Sequence, residues 1–414
     1  MSITHDWSHT LRVAAPRAAD ALPLPARRRL RLALILGSLS AFGALSIDMY
    51  LPAMPRMSQQ LHASGPVIQL TLTVFVIGLA AGQVLAGPLS DMWGRRRLLL
   101  AGMALYVAGS AWCALAPNAG QLIGARIVQS LGAAAGAVLA RAIVRDLFEG
   151  AAMTRFFSTL MLVNGVAPIA APVIGGQLLT VATWRAVFVV LAGAGAALLL
   201  AILFGLPESL PAPRRQPARL HHTARSLAGL ASDWRYLRYV LAAALMFAAV
   251  FAYISGSSLI LQQAYGLTAQ QFSLIFAANG LGMVLLGQVS GFLIGRGTTE
   301  NTLLRASLTA ASLGGLGVLL CAALGLPLPL LLACLFTAVS MLGVVLPNAT
   351  SLAMAAQGSA AGAASSLQGL LQFLVGGLAA SAMGLAGQGT AVPMGATMFL
   401  CATAALTIIV IRRH

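Results

Sequence analysis

The sequence predicts an all-α membrane protein whose twelve transmembrane helices form two bundles of six. Of its 414 residues, 59% are hydrophobic and only 8% are charged, whereas soluble domains carry about 25% charged residues. About twelve apolar stretches approach the 20 residues that a membrane-spanning helix needs. A segment rich in proline and arginine separates the first six stretches from the last six.

Each predicted helix is an apolar run bounded by glycine, proline or charged residues. In the first half the runs cover 32–54, 67–88, 98–116, 121–143, 156–179 and 186–206. In the second half they cover 237–261, 272–294, 303–325, 328–348, 363–386 and 391–411.

The segment between the halves is predicted to be a solvated linker. From Pro207 to about Arg235 it holds four prolines, several arginines and the pair His221-His222, a composition typical of a linker rather than of a metal site. The four cysteines lie in separate apolar runs without metal-ligand spacing, so we expect no metal and no cofactor. The expected domains are an N-terminal tail (1–31), a first bundle (32–206), a linker (207–236) and a second bundle (237–414) with a short cytoplasmic C-terminus.

The arginines predict the orientation of the chain. All 25 basic residues are arginine, and nearly all flank one set of helix ends. Arg56 and Arg185 flank the other set, and Arg126 and Arg141 lie inside the fourth run. Because cytoplasmic loops are enriched in basic residues, we expect both termini and the linker on the cytoplasmic side of a bacterial inner membrane. Arginines gathered at membrane boundaries also account for the net charge of +16 without a nucleic-acid partner.

Asp48 is the only acidic residue inside a predicted span. A carboxylate there opposes membrane insertion by roughly 2.5 to 3.5 kcal/mol, so such residues usually serve proton or ligand traffic. The alternative is that Asp48 only caps a helix broken ahead of Pro52.

Arg126 is the second intramembrane charge of interest, and unlike Asp48 it stays ionised. We expect Asp48 and Arg126 to act in proton coupling if the two share a cavity, with Gln129, at i+3, orienting the guanidinium. The alternative for Arg126 is snorkelling to the membrane surface.

The loop after the second predicted helix carries the most specific motif, Gly87-Pro-Leu-Ser-Asp-Met-Trp-Gly-Arg-Arg-Arg97. It resembles the Gly-x-Leu-x-Asp-x-x-Gly-Arg-x-Arg loop of the major facilitator superfamily. The resemblance implies the major facilitator fold and a cytoplasmic gating loop. The gating residues would be Gly87, Asp91, Gly94, Arg95 and Arg97.

Three further stretches resemble the drug:proton antiporters of that superfamily. Asp48–Pro55 is similar to the bicyclomycin and chloramphenicol resistance (Bcr/CflA) branch. Arg126–Gly132 is similar to the superfamily's helix 4 pattern, except that Ser130 replaces a glycine, which makes close packing there less assured. The fifth helix resembles the antiporter motif of helix 5, although a glycine before its second proline is replaced by alanine. The matching positions of that motif are Pro168, Pro172, Gly175 and Gly176.

The remaining polar residues of the predicted helices suggest a cavity for a lipophilic, neutral or weakly polar compound. Singly, each is more readily explained by hydrogen bonds between helices. The candidate cavity residues are Tyr50, Gln129, Asn164, Tyr253, Asn279 and Gln372.

A short echo relates the halves, because Gly82-Gln83-Val84 in the second helix resembles Gly287-Gln288-Val289 in the eighth. Such repeats are typical of transporters. We therefore expect a monomeric, proton-coupled multidrug or antibiotic efflux antiporter working by alternating access, and not an enzyme. Its partners would be a small lipophilic drug-like substrate, protons and the lipid bilayer. The alternative is a proton-linked transporter of a metabolite such as an amino acid, sugar or siderophore.

Overall fold

The computed structural model describes residues 26–148, 150–215, 229–355, 361–385 and 390–411. Within this part of the chain, twelve helices are long and apolar enough to cross a membrane. The predicted class, an all-α membrane protein with twelve spanning helices, is confirmed. The pair His221-His222 lies outside the described residues.

The helices follow one another in the predicted order. The first half contains α1 (Ala26–Asp48, resuming as Met54–Gln60), α2 (Gly65–Trp93), α3 (Arg95–Leu115), α4 (Ala119–Leu147), α5 (Gly150–Val181) and α6 (Arg185–Gly205). The second half contains α7 (Trp234–Leu259), α8 (Ala269–Gly295), α9 (Glu300–Leu324), α10 (Leu328–Ser340, resuming as Leu342–Met354), α11 (Ala361–Leu385) and α12 (Val392–Val410).

Helix α1 differs from the continuous run predicted for 32–54. Its first segment ends at Asp48, and a short 3₁₀ turn, Leu51–Ala53, precedes the second segment. Pro52 and Pro55 lack the backbone N–H that a continuing helix needs, which explains the interruption. Asp48 is therefore the last residue before a break inside the membrane span.

The two halves repeat the same close packing between their second and fourth helices. In the first half, a side chain added at Gly78 of α2 would collide with the Ser130 hydroxyl of α4. In the second half, one added at Gly282 of α8 would collide with the Ser340 hydroxyl of α10. The expectation of less assured packing at Ser130 is thus wrong, because α2 supplies the missing glycine from the other side.

The halves meet mainly where α2 packs against α11 and α5 packs against α8. We call the ends that carry the α2–α3 turn and the α6–α7 connection the arginine-rich face, and the other ends the opposite face. Helix α1 runs from the arginine-rich face towards the opposite face, so its break lies nearer the opposite face.

Candidate substrate and proton site

Asp48 lies between the two halves and is only 4% exposed. Its carboxylate interacts electrostatically with the hydroxyl of Tyr253 on α7, in the other half, and it forms no ion pair or hydrogen bond with the described residues. Asp48 also ends a helix segment, but at the C-terminal end, where the helix dipole disfavours a negative charge. A capping role therefore does not explain this carboxylate, whose charge must be met by water, a proton or a bound cation.

Tyr253 and Asn279, both predicted to line a cavity, form one unit opposite Asp48. The Asn279 Nδ2 donates a hydrogen bond of 2.8 Å to the Tyr253 hydroxyl. The Tyr253 ring stacks on Phe276, with centroids 5.4 Å apart and planes 19° apart. This pairing fixes the tyrosine, so the second half presents an ordered polar and aromatic wall to the carboxylate.

Arg126 is completely buried and lies in a cage of aromatic rings. Its guanidinium carbon is 4.4 Å from the ring centroid of Tyr50, 4.1 Å from that of Phe75 and 5.8 Å from that of Phe188. These are cation–π distances. The snorkelling alternative is wrong, since a snorkelling arginine would expose its charged group to solvent.

The hydrogen bonds of Arg126 involve neutral acceptors. Its Nη1 donates to Gln129 Oε1 at 2.7 Å, as the i+3 spacing predicted, and its Nε donates to the carbonyl of Thr71 at 3.4 Å. Gln129 in turn donates to the Ser110 hydroxyl at 2.9 Å, while Arg126 Nη2 has no hydrogen-bond partner. Asp48 and Arg126 do not form an ion pair in this conformation, and Tyr50, two residues after Asp48, is the link between them.

The remaining predicted cavity residues are not all part of this site. Asn164 donates to the carbonyl of Leu160 on its own helix, at 2.9 Å, which fits a structural role. Gln372 is 9% exposed, and its amide nitrogen has no partner. Gln372 therefore keeps its amide donors free, whereas Asn164 already uses one of its two on its own helix.

Among the described residues, four hydrogen bonds join the two halves at the opposite face, and two of them end on the break in α1. The Ser258 hydroxyl donates to the carbonyl of Leu51, and Gln262 Nε2 donates to the carbonyl of Pro52 at 3.2 Å. We call this pair of bonds the α1–α7 latch. The other two bonds run from Gln69 to the Ser255 carbonyl at 3.1 Å and from Gln270 to the Gly176 carbonyl at 3.0 Å.

The glycines of the helix 5 motif allow α5 to approach both halves closely. A side chain at Gly175 would collide with the carbonyl of Met49, in the break of α1, and one at Gly176 would collide with the hydroxyl of Ser273 on α8. Pro172 lies about one turn earlier in α5 and Pro168 about two turns earlier. Helix α5 is therefore wedged between the Asp48 break and the second half.

The predicted gating loop forms a network of ion pairs at the arginine-rich face. Gly94 makes the turn between α2 and α3 with φ at +95°, a conformation that glycine adopts without strain. Arg95 contacts Asp91 at 2.6 Å and Asp146 at 3.0 Å. Arg97 is exposed, and Gly87 lies within α2 with open space beside it, so these two take no part in the network here.

Glu208, just after α6, is a member of this network that the sequence did not reveal. Its carboxylate accepts from the backbone N–H groups of Arg95, at 2.9 Å, and Arg96, at 3.3 Å, which lie at the N-terminal end of α3. A carboxylate is favourable there. The sequence predicts that Glu208 belongs to a solvated linker. The one feature that could have indicated a role in this network is that Glu208 is the first acidic residue after α6.

Comparisons with known proteins agree with this architecture. The family model described as Major Facilitator Superfamily matches residues 34–380. The chain belongs to the Major Facilitator Superfamily. A similar superfamily member is an uncharacterized MFS-type transporter, YdgK, of Bacillus subtilis, 39% identical over 91% of this chain and 94% of the relative.

A second relative agrees with the predicted branch of the superfamily. It is a bicyclomycin resistance protein homolog of Haemophilus influenzae, 32% identical over 89% of this chain and 92% of the relative. The fold also matches a solved structure of a bacterial homolog of the human lysosomal transporter Spinster, with a TM-score of 0.70 and 15% identity, covering 93% and 95% of the two chains. At that identity the likeness shows the major facilitator fold alone.

Proposed function

We propose that this transporter exports lipophilic, drug-like compounds from the bacterial cytoplasm in exchange for protons, by alternating access of its two halves. The observation that carries the proposal is the position of Asp48 between the halves and beside Tyr253, as a buried carboxylate with no cation partner among the described residues. Such a group can take either a proton or a cargo molecule, but an empty, charged site is costly. Competition between the two ligands for one carboxyl group is the simplest basis for exchange.

The α1–α7 latch connects this site to the opening of the protein. The carbonyls of Leu51 and Pro52, which accept from α7, lie three and four residues after Asp48. A change of charge or hydration at Asp48 that shifts the break would therefore alter the closure of the opposite face. With the arginine-rich face assigned to the cytoplasm, the latched conformation is the one that is closed to the outside.

Arg126 supplies a permanent positive charge close to the same break. Its aromatic cage and its bond to Gln129 hold the guanidinium in place, and its unpartnered Nη2 leaves room for one more acceptor. We propose that, when the break moves, the Asp48 carboxylate reaches Nη2 either directly or through a chain of water molecules. Arg126 would then favour release of the proton from Asp48 without ever losing its own charge.

The relatives favour drug-like cargo, because one of them is named for resistance to bicyclomycin. We further propose that the protein acts as a monomer in the inner membrane, with both termini and the 207–236 linker in the cytoplasm. Each entering proton releases about 2.3 kcal/mol per 100 mV of membrane potential. One proton could thus sustain a substantial outward gradient of a neutral compound.

The test begins with antibiotic susceptibility with and without expression of the protein, which identifies a cargo and separates drug export from metabolite transport. Inverted membrane vesicles containing a pH-sensitive dye then report proton release on addition of that cargo. We expect the release to vanish in Asp48→Asn and to persist in Glu300→Gln, whose carboxylate lies at the N-terminal end of α9. Equal proton release by wild type and Asp48→Asn, at equal insertion, would refute the coupling role.

A further inference from the structure

A cavity on the lipid-facing side of the first half is not part of the substrate site. It lies at the arginine-rich face, between the start of α1 and the end of α6, and has a volume of about 660 Å³. Arg27 and Arg31 lie at its polar end, and Leu34, Ala201 and Phe204 line its apolar part. We call it the α1–α6 groove.

The chemistry of the groove changes along the membrane normal. Arg27 and Arg31 are four residues apart, so their side chains occupy one face of α1, and both are exposed. From Arg27 to Leu34 the helix rises about 10 Å, which takes the groove from the headgroup level into the hydrocarbon. Leu34 is 62% exposed and Phe204 is 81% exposed, so the inner part offers an apolar surface to a chain rather than to water.

Arg31 is held in position against α6. Its aliphatic stem packs beside Gly205, where an added side chain would come within 3.2 Å of Arg31 Cδ. Neither Arg27 nor Arg31 forms an ion pair with the described residues. Two guanidiniums without an ion-pair partner among the described residues therefore lie above an apolar trough, the arrangement by which basic pockets between membrane helices hold anionic lipid headgroups.

We infer that the α1–α6 groove binds one acidic phospholipid from the leaflet at the arginine-rich face. The two guanidiniums hold its phosphate, and Leu34, Ala201 and Phe204 contact the upper part of an acyl chain. A free phosphate ion would leave this apolar part empty. A zwitterionic lipid would bring its own positively charged ammonium group towards the two arginines. The shape and charge of the groove thus favour an anionic headgroup attached to an acyl chain.

The site can be tested by titrating the purified full-length protein with phosphatidylglycerol or phosphatidylcholine and counting bound lipids by native mass spectrometry. We expect one phosphatidylglycerol to bind saturably and about tenfold more tightly than phosphatidylcholine. The double variant Arg27→Gln/Arg31→Gln should lose this preference. Ala201→Trp should lose it as well, because the indole fills the groove without changing the charge.

A matched control removes two other exposed arginines from the same face. Arg296→Gln/Arg305→Gln lowers the net charge equally, but Arg296 directly follows α8 and Arg305 lies on α9, away from the groove. It should retain the tight phosphatidylglycerol. Equal loss in this control, or full retention in both groove variants, would show that the arginines attract lipid only by their general charge and would overturn the site.

Discussion

The guanidinium of Arg126 lies 4.4 Å from the ring centre of Tyr50, which follows Asp48 by two residues. This contact links the segment that carries Asp48 to Arg126 without bringing the two charged groups together. Movement at the break in α1 carries Tyr50 with it, so the environment of Arg126 depends on the position of the Asp48 segment. The proposed proton site, Asp48, and the fixed charge of Arg126 are therefore connected through Tyr50 even in a conformation in which they form no ion pair.

The first prediction concerns the planar guanidinium group of Arg126. We expect Arg126→Lys to lower the initial rate of cargo export about tenfold, although the charge is retained. Lysine lacks the planar face that stacks on Tyr50 and Phe75, and cation–π contacts of this kind are each worth about 0.5 to 2 kcal/mol. Export can be measured as fluorescent cargo efflux from energised cells at matched expression.

Arg185→Lys is the control for this exchange. Arg185 also stacks on an aromatic ring, that of Trp184 at 4.4 Å, and donates to the carbonyl of Ala116 at 3.0 Å. It lies at the start of α6 and stacks on Trp184 rather than on the rings around Arg126. A similar loss of export in Arg185→Lys would mean that Arg126 matters only for the stability of the bundle.

The second prediction concerns the α1–α7 latch. The double variant Ser258→Ala/Gln262→Leu removes both donors to the break, each worth about 0.5 to 1.5 kcal/mol. We expect the population with an open opposite face to rise about tenfold. Electron paramagnetic resonance distances between spin labels at Gln59→Cys and Gln263→Cys, introduced without the native cysteines, should shift to longer values.

Ser381→Ala provides the comparison, since the Ser381 hydroxyl bonds only the carbonyl of Gly377 on its own helix, at 3.0 Å. It should leave the distance distribution as in the starting protein. Unchanged distances in the latch variant would show that the other contacts between the halves hold the face closed.

The sequence predicted the fold well because membrane helices can be recognised by their length and apolar composition. It also placed the contact between Arg126 and Gln129, which depends only on helical periodicity. It could not show that the charge of Arg126 is met by Phe75 and Phe188, because an aromatic residue in an apolar helix carries no sign of what lies across from it. Glu208 was missed for a related reason: its partners are backbone groups, and these leave no trace in the sequence.

The third prediction concerns the gating loop. We expect Asp91→Ala to change the rate of exchange more than the apparent affinity for cargo. The Asp91 side chain is half exposed, so its pair with Arg95 is worth at most about 1 kcal/mol to stability. The proposed cargo site around Asp48 lies at the other end of α2. Glu208→Gln should act in the same direction, because it weakens the acceptor for two N–H groups of α3.

The concentration dependence of vesicle transport separates these effects. Arg97→Gln is the internal control, since Arg97 belongs to the motif but is exposed and forms no ion pair with described residues. A raised half-saturation concentration with an unchanged maximal rate in Asp91→Ala would argue against a gate.

The last prediction compares two glycines, Gly87 and Gly175, that both match motif positions in the sequence. Gly175→Ala places a methyl group against the carbonyl of Met49, where backbone leaves no space, whereas Gly87→Ala places one where nothing lies within 4 Å. We expect Gly175→Ala to lower the thermal unfolding temperature in detergent and to reduce export, because α5 or the Asp48 break must shift. Gly87→Ala should be as stable as the wild type or slightly more so, since alanine favours helix by about 0.8 to 1 kcal/mol. A Gly87→Ala variant that is stable but transports slowly would show that Gly87 is needed for close packing in the other conformation of the cycle. A Gly175→Ala variant that is fully stable and active would show that the close contact between α5 and α1 does not constrain the break.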